Sequence, residues 1–579
     1  MERRAGAHLH GGHGIARDRG TLRRPRDHDL HAASAPHPGR PLRARDDLGH
    51  PAGRRVPVRA TPRLSDGAAA PSLRAHGLAG VHRHRAVLDP LRARRRVRAG
   101  PLLCGLPQAG RLDVTSAKPG AFVGQRAVVV GFGASGRAAA RVLRAEGADV
   151  IVSERRTREE LSLDPIEEAE AAELAVEVRA GGHRPEHLDG ASVVLVSPGV
   201  PESAPIIGWA REAGIPVWSE LELGARLCRV PVIAITGTNG KTTTCELVAA
   251  MLRAGGLDAR ACGNIGYPFS LAAREPHDAL VVEASSFQLR FHEHLHPKVS
   301  VILNLAPDHL DWHGSFASYA DAKARIFLRQ SGEDVHIGNR DEPDAAAVSA
   351  RAACTVRWFG WGPPAREDVG VVDGHVVAGV GSGLDLGPPA AGSSRAFLLD
   401  AAAAAAAGLA FGLTPESVGA GFGAVAPLPH RGTVVATVGS VAFVDDSKAT
   451  NPHATLASLA GRSDVVLIAG GLTKGVDLSP LAAGAPSLAG VVAIGEAARD
   501  LAAVFEGLVP IRLVASLEEA TSVALSLAPA GGTVLLAPAC ASQDMFRDYR
   551  ERGERFADAA RRLAASVPLS SGADRGPHA

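Results

Sequence analysis

The stretch Val230-Pro-Val-Ile-Ala-Ile-Thr-Gly237-Thr-Asn-Gly240-Lys241-Thr242-Thr243 reads as a buried strand running into a phosphate loop. The β-branched residues Val232, Ile233 and Ile235 suit a parallel strand covered on both faces, and Gly237 to Gly240 force a tight turn before a helix from about Thr242. Backbone N–H groups of such a turn, with the positive end of the helix, cradle anionic oxygens. In that frame Lys241 reaches the β- and γ-phosphates of a nucleotide, and the Thr242 hydroxyl sits on a magnesium ion. The loop is a shortened variant, because the first glycine of the longer consensus falls at Ile235. The bland alternative is a chance Gly-Lys-Thr turn. Strand, glycines and lysine in register argue for nucleotide binding instead.

Outward from this loop, 579 residues are enough for three or four domains. The net charge of +2 hides an asymmetry. Residues 1 to 110 hold 22 Arg, no Lys and 8 acidic residues, a charge of +14, which leaves −12 for the other 469. Cys104, Cys228, Cys245, Cys262, Cys354 and Cys540 show no CxxC spacing, which argues against a zinc site or disulfide framework and fits a reducing cytoplasm. No charge-free apolar run is long enough to span a membrane. Arg3-Arg4 is followed by no apolar export segment.

Residues 1–115 are rich in Arg, His, Pro, Ala and Gly, with one Ile and no aromatic residue, so they have little with which to build a core. One reading is disorder, another a basic arm for nucleic acid or anionic lipid. The favoured reading is translated sequence upstream of a true start near Leu112 to Ser116, since a GC-rich stretch in the wrong frame gives Arg without Lys.

Three α/β domains are expected after this. Residues 121–229 form the first, a Rossmann-like unit with a strand at Ala127 to Val130, Gly131-Phe-Gly133-Ala-Ser-Gly136, a helix to about Glu146 and a strand at Asp149 to Val152. Glu154, 18 residues after Gly136, stands where an acid holds a ribose hydroxyl. This fingerprint does not distinguish NAD from a UDP-sugar. Residues 230–427 form a central ATP-binding domain with strands at Leu280 to Val282 and Val299 to Leu303. At or beyond strand ends lie Glu283-Ala-Ser-Ser-Phe-Gln288 and Asn304-Leu-Ala-Pro-Asp308-His309-Leu-Asp311, and Lys323 lies on a helix after Tyr319. Residues 428–570 repeat the alternation, with strands at Val465 to Ala469, Val491 to Ile494 and Val534 to Leu536. Their polar segments, around His430-Arg431, Asp446 to Asn451, Lys474 and Pro538 to Asp544, fall on loops.

Six segments in one order, Gly237-Thr-Asn-Gly-Lys-Thr242, Glu283-Ala-Ser-Ser-Phe-Gln-Leu289, Asn304 to Asp311, Leu428-Pro-His-Arg431, Asp446-Ser-Lys-Ala-Thr-Asn451 and Pro538-Ala-Cys-Ala-Ser542, closely resemble the Mur ligases over about residues 121 to 565. The last two favour the branch that adds D-glutamate. The resemblance implies that ATP phosphorylates the carboxylate of UDP-MurNAc-L-alanine and that the amine of D-glutamate attacks the acyl phosphate. It implies ATP on Gly237, Thr238, Asn239, Gly240, Lys241, Thr242 and Thr243, with Asp400 at the adenine side and Arg431, Asp446 and Lys448 closing over it. Mg²⁺ is implied on Thr242 and Glu283, and a second ion on His309 and a carbamylated Lys323; Lys241, His309 and Lys323 form the catalytic set. The uracil nucleotide is assigned to Ala134, Ser135, Glu154, Arg156, Gly199 and Asn264. D-Glutamate is assigned to Thr450, Lys474, Ser542 and Tyr549.

Two departures stand out. Ala396-Phe-Leu-Leu-Asp400 replaces the family's His-Asn-x-x-Asn, and Glu154-Arg155 replaces Asp-Thr. Only small-molecule partners are expected, with no nucleic acid and no membrane span, for a cytoplasmic monomer. The rival readings are a dinucleotide-dependent oxidoreductase, which leaves the phosphate loop, Glu283 and Lys323 without a task, and a nucleotide-gated binding module using the basic arm. Nearer rivals are a sister Mur ligase and a folylpolyglutamate-type ligase, separated by amino-acid preference.

Overall fold

The computed structural model describes residues 120–161, 165–379, 383–389, 394–425 and 428–566. The readings of residues 1–115 therefore lie outside the described residues. Three sheets follow one another along the chain. The first holds β1 (Arg126–Val130), β2 (Asp149–Ser153), β3 (Glu177–Arg179), β4 (Val193–Val196) and β5 (Val217–Ser219), all parallel, in the order β3-β2-β1-β4-β5. Its order reverses between β1 and β4, which opens a crevice at the carboxyl ends of those strands, where doubly wound sheets bind ligands. The turn after β1 needs its glycines: Gly131 has φ +82°, and a Cβ on Gly136 would lie 2.0 Å from the Gly131 carbonyl oxygen.

The second sheet contains β6 (Val232–Thr236), β7 (Ala259–Gly263), β8 (Ala279–Glu283), β9 (Val299–Ile302), β10 (Val335–Asn339), β11 (Thr355–Trp361), β12 (Val369–Val372), β13 (His375–Ala378) and β14 (Leu384–Gly387). Its order is β14-β13-β12-β11-β10-β9-β6-β8-β7, with only the β12–β14 edge antiparallel. Every residue of β6 is buried, as its β-branched run requires. The helix Lys241–Ala254 leaves its end, and the helix Arg395–Phe411 packs against both this helix and the sheet. Ala401 to Ala407 are at most 3 % exposed, so the alanine tract is a core helix whose short side chains allow close approach. The third sheet holds β15 (Thr433–Val438), β16 (Val441–Asp445), β17 (Val465–Gly470), β18 (Leu488–Ile494), β19 (Ile511–Leu513) and β20 (Thr533–Leu536) in the order β15-β16-β20-β17-β18-β19. It is parallel except for β15, which pairs antiparallel with β16.

Buried polar groups tie the first and second sheets together. Ser219 Oγ donates to the Gln288 carbonyl (2.8 Å) and Ser219 N to that of Phe291 (2.9 Å). Glu222, fully buried, accepts from the N–H groups of Glu293 (2.7 Å) and His294 (2.8 Å) and pairs with Arg226 (2.7 Å). A carboxylate buried with that many donors is satisfied, whereas removing the donors would leave a costly orphan.

Helix Pro415–Phe422 crosses helix Lys241–Ala254 so closely that a Cβ on Gly421 would sit 2.8 Å from Met251 Cα and 2.9 Å from Met251 N. Alanine gains about 1 kcal/mol of helix propensity, but backbone cannot rotate away, so the overpacking cost falls in the upper part, about 2–3 kcal/mol, of its usual range. Gly421→Ala is therefore expected to lower stability by about 1–2 kcal/mol in urea unfolding; an unchanged or raised midpoint would show that the two helices can separate at no cost.

Candidate active site

The phosphate loop is held open by groups from every direction. Gly240 caps the helix Lys241–Ala254 at φ +85°, a conformation that favours glycine. Asn304, just beyond β9, accepts from Asn239 N through Oδ1 (2.8 Å) and donates through Nδ2 to the Asn239 carbonyl (3.2 Å). Thr238 Oγ1 lies 2.9 Å from the Tyr319 hydroxyl and accepts from Ala306 N (3.0 Å). Each partner fixes one backbone segment: the Thr238 and Asn239 N–H groups are taken up by Asn304, which sets the course of the loop into the helix start at Lys241.

Two lysines converge on this loop. Lys241 Nζ donates to the carbonyls of Gly237 and Thr238 (2.9 Å each). Lys323, on helix Phe316–Ala324 and 2 % exposed, donates to the same Gly237 carbonyl (2.7 Å) and to Thr236 Oγ1 (3.4 Å). Burial lowers the ammonium pKa of both, and the Lys241 charge adds to the effect at Lys323, which is pushed well below its ordinary value. Thr242 Oγ1 donates to Glu283 Oε2 (2.8 Å), and Asn264 Nδ2 to Glu283 Oε1 (3.0 Å). No group of three or more His, Cys, Asp or Glu among the described residues is arranged to hold a metal. One hydroxyl and one carboxylate beside a phosphate loop nevertheless fit Mg²⁺, which takes few protein ligands and completes its shell with phosphate and water.

His309 stands at φ +53°, stacked edge-on against Phe287 (centroids 4.8 Å apart). Burial pushes its imidazole pKa down, so the ring is neutral and able to offer a lone pair. Neighbouring Asp308 is buried between domains: Asn451 Nδ2 donates to it (3.3 Å) and Lys474 Nζ lies 3.7 Å away. Burial alone would raise its pKa, but the Lys474 and Lys241 ammonium groups hold it below its ordinary value. Asn451 also exchanges amide hydrogen bonds with Asn239 of the loop (3.1 and 3.3 Å). His453 Nδ1 is 3.0 Å from the same Asn239 amide.

A cavity of about 310 Å³ gathers part of the expected site: Thr238, Lys241, His309 and Lys323 line it together with Gly199 and Asn264. Other expected residues lie apart from that cavity. Ala134 and Ser135 open the helix after β1. Glu154, beyond β2, accepts from Phe132 N (2.9 Å) and pairs with Arg156 (3.2 Å), which also reaches Glu167 (2.8 Å). Burial would raise the Glu154 pKa, but hydrogen bonds from Arg156 and from Phe132 N–H hold it low. Its longer side chain thus braces the glycine-rich turn.

In the third sheet, Arg431 follows His430, whose Nδ1 meets Asp445 (2.6 Å). Burial lifts Asp446 to about 6, and its carboxylate accepts from Ser458 Oγ. Lys448 Nζ sits over the Tyr549 ring (3.9 Å), and burial lowers it to about 8. Ser542 is buried, and Thr450 lies beside Asn451. Asp400 lies on the phosphate loop, since a Cβ on Gly240 would be 2.1 Å from its Oδ1. Sequence reasoning placed Asn304, Tyr319 and Asn451 in its motif segments without giving them a role, and did not single out His453 or Trp312.

Fold and site define a three-domain α/β enzyme built on a phosphate loop. Residues 235–372 match the profile of the Mur ligase middle domain, 125–219 that of the Mur ligase MurD-like N-terminal domain, and 430–540 that of the Mur ligase glutamate ligase domain. A UDP-N-acetylmuramoylalanine--D-glutamate ligase of Frankia casuarinae is 44% identical over 76% of this chain and 94% of its own length. One of the same name from Streptomyces coelicolor is 38% identical over 77% of this chain and 100% of its own. A pseudomurein peptide ligase type C from Methanothermus fervidus, 19% identical, shares the fold at a TM-score of 0.50 over 76% of this chain and 100% of its own. The chain belongs to the Mur ligase family, which removes the oxidoreductase and binding-module readings.

Burial raises Asp400 from 3.8 to about 7, with Arg431 and Lys241 opposing. Its contribution to stability is full below the unfolded value, is lost as the unfolded chain alone ionises, and is gone above about 7. Asp400→Asn cannot ionise. Its melting temperature is expected to exceed that of the parent by several degrees more at pH 8 than at pH 5, and parallel curves from pH 5 to 8 would contradict this.

Proposed function

We propose that this chain joins D-glutamate to UDP-MurNAc-L-alanine at the expense of ATP, as the name borne by its relatives describes. The observation that carries the reading is the cavity in which phosphate-loop Lys241, Lys323 and His309 face Gly199 and Asn264 from the nucleotide-sugar side. A carboxylate oxygen of the L-alanyl group attacks the γ-phosphorus, the bond to the β-γ bridging oxygen breaks, and ADP leaves. The amine nitrogen of D-glutamate then attacks the acyl carbon. The tetrahedral intermediate loses phosphate, and the nitrogen loses its extra proton to give the amide.

Lys241 draws charge from the phosphoryl oxygens in the first step, and fixed donors on the loop hold it in line. Mg²⁺ on Thr242 and Glu283 would neutralise phosphate charge. Lys323 is suited to carbamylation: burial favours the neutral amine, which takes up CO₂ and releases one proton to become an anionic oxygen donor. His309, which lines the same cavity, offers a neutral nitrogen, so the pair would fit a second ion only in that modified form. Lys474, drawn to Asp308 here, is the group we assign to the side-chain carboxylate of D-glutamate, with Thr450, Ser542 and Tyr549 around it. Arg431, Asp446 and Lys448 close on ATP, and Asp400 borders it.

We place domain boundaries at 121–229, 230–427 and 428–570, and the working form in the cytoplasm as a monomer. The free thiols of Cys228, Cys245, Cys262, Cys354 and Cys540 suit that reducing compartment. No helix among the described residues is long and apolar enough to cross a membrane.

Phosphate release from ATP, Mg²⁺ and UDP-MurNAc-L-alanine should depend on D-glutamate and not on L-glutamate or L-lysine; dependence on another amino acid would transfer the chain to a sister ligase. Lys323→Ala should lose at least about a hundredfold in kcat, and Lys323→Arg, which cannot be carbamylated, should not recover it. Recovery by arginine would mean that the position needs only positive charge.

A further inference from the structure

Trp312 joins two parts of the cavity that belong to different domains. It sits in the short helix Leu310–His313 that follows His309, half-buried, with its ring edge-on to Phe287 (centroids 5.0 Å apart, 69°). Phe287 in turn meets His309 edge-on (4.8 Å, 67°), so one aromatic wall runs from the indole to the imidazole. Across the domain boundary the indole Nε1–H donates to the Val200 carbonyl (3.2 Å). Val200 closes a turn onto Ser197 through its own N–H (3.0 Å), and Ser197 Oγ donates to the Gly131 carbonyl in the glycine-rich turn after β1 (2.9 Å). Unbroken contacts thus run from the nucleotide fingerprint of the first domain to the histidine beside the phosphate loop.

Where this chain of contacts crosses the cavity is also informative. Gly199, inside the Ser197–Val200 turn, lines the same cavity as Trp312, Phe287, His309 and Lys323. A nucleotide sugar with its diphosphate end near Gly199 and its acyl end near Lys241 and Lys323 has to lay its middle along the Trp312–Phe287 wall. Pockets of this kind use apolar walls for contact area and a few fixed polar groups for orientation, and indole supplies both.

We propose that Trp312 is a positioning residue for the nucleotide-sugar substrate: its N–H fixes the Ser197–Val200 turn relative to the phosphate loop, and its ring supports the sugar between the two ends. This rests on the proposed function, and it concerns one substrate of three. A tryptophan that only filled space would matter for stability and affect all substrates alike.

The test uses the full chain and Trp312→Phe, which keeps an aromatic ring but removes the N–H donor and the smaller of the two fused rings. Calorimetric affinity for UDP-MurNAc-L-alanine should fall about five- to tenfold, the size of one hydrogen bond's worth of positioning, while KM for ATP and for D-glutamate stay as in the parent and the melting temperature falls by no more than about two degrees. Ser197→Ala should weaken the same affinity, and the double variant should be no weaker than Trp312→Phe alone. Unchanged nucleotide-sugar affinity in Trp312→Phe overturns the proposal, as does a parallel loss for all three substrates with a melting temperature lowered by more than about two degrees. Binding is read without turnover, so a parent protein that binds the nucleotide sugar but shows no D-glutamate-dependent phosphate release counts against the proposed function, while the affinities of the variants still decide the role of Trp312. A parent that does not bind the nucleotide sugar overturns both.

Discussion

The Gly237 carbonyl oxygen accepts hydrogen bonds from two lysines, Lys241 at 2.9 Å and Lys323 at 2.7 Å, and the carboxylates of Glu283 and Asp308 only partly offset their burial. Two ammonium groups on one acceptor would repel with little screening, and this together with burial pushes Lys323 toward its neutral amine. The arrangement is relieved in two ways: by an anion brought to the loop, or by conversion of one lysine to a neutral or anionic group. ATP is an answer of the first kind and carbamylation of Lys323 one of the second. The rest of the centre keeps this strained geometry in place, through the Asn304 clamp, the Thr238–Tyr319 contact and the full burial of β6. Functional sites hold such unfavourable local arrangements because the surrounding fold over-determines them.

Domain arrangement follows from the same centre. Contacts between the first two sheets are deep and satisfied, as at Ser219 and Glu222. Contacts from the third sheet to the loop are fewer and polar: Asn451 and His453 on Asn239, Asn451 and Lys474 on Asp308. Small polar interfaces of this kind separate at modest cost, whereas buried ones do not. A ligase that must admit ATP and an amino acid and then exclude water from an acyl phosphate is served by that asymmetry.

The phosphate loop, both Rossmann-like units and the order of the motifs were legible in the sequence because each is written in a short window: a β-branched strand, a turn that needs glycine, a helix start. Lys241 with Thr242, and Lys323 on a helix, were legible for the same reason. The antiparallel edges β12–β14 and β15 were not, since nothing in a short apolar run states which neighbour it pairs with. Asn451 reaches Asn239 across 212 residues and Trp312 reaches Val200 across 112, distances over which periodicity carries no signal. Asp400 shows the limit from another side: its segment departs from the family pattern in sequence, and only the structure places its carboxylate against Gly240.

The central claim is that this cavity activates a carboxylate by transferring phosphate to it. The most direct test is to label the L-alanyl carboxylate oxygens of UDP-MurNAc-L-alanine with ¹⁸O and run the reaction to completion with ATP and D-glutamate. An acyl phosphate route moves one labelled oxygen into each inorganic phosphate released. Unlabelled phosphate, or label appearing instead in AMP, would contradict the account.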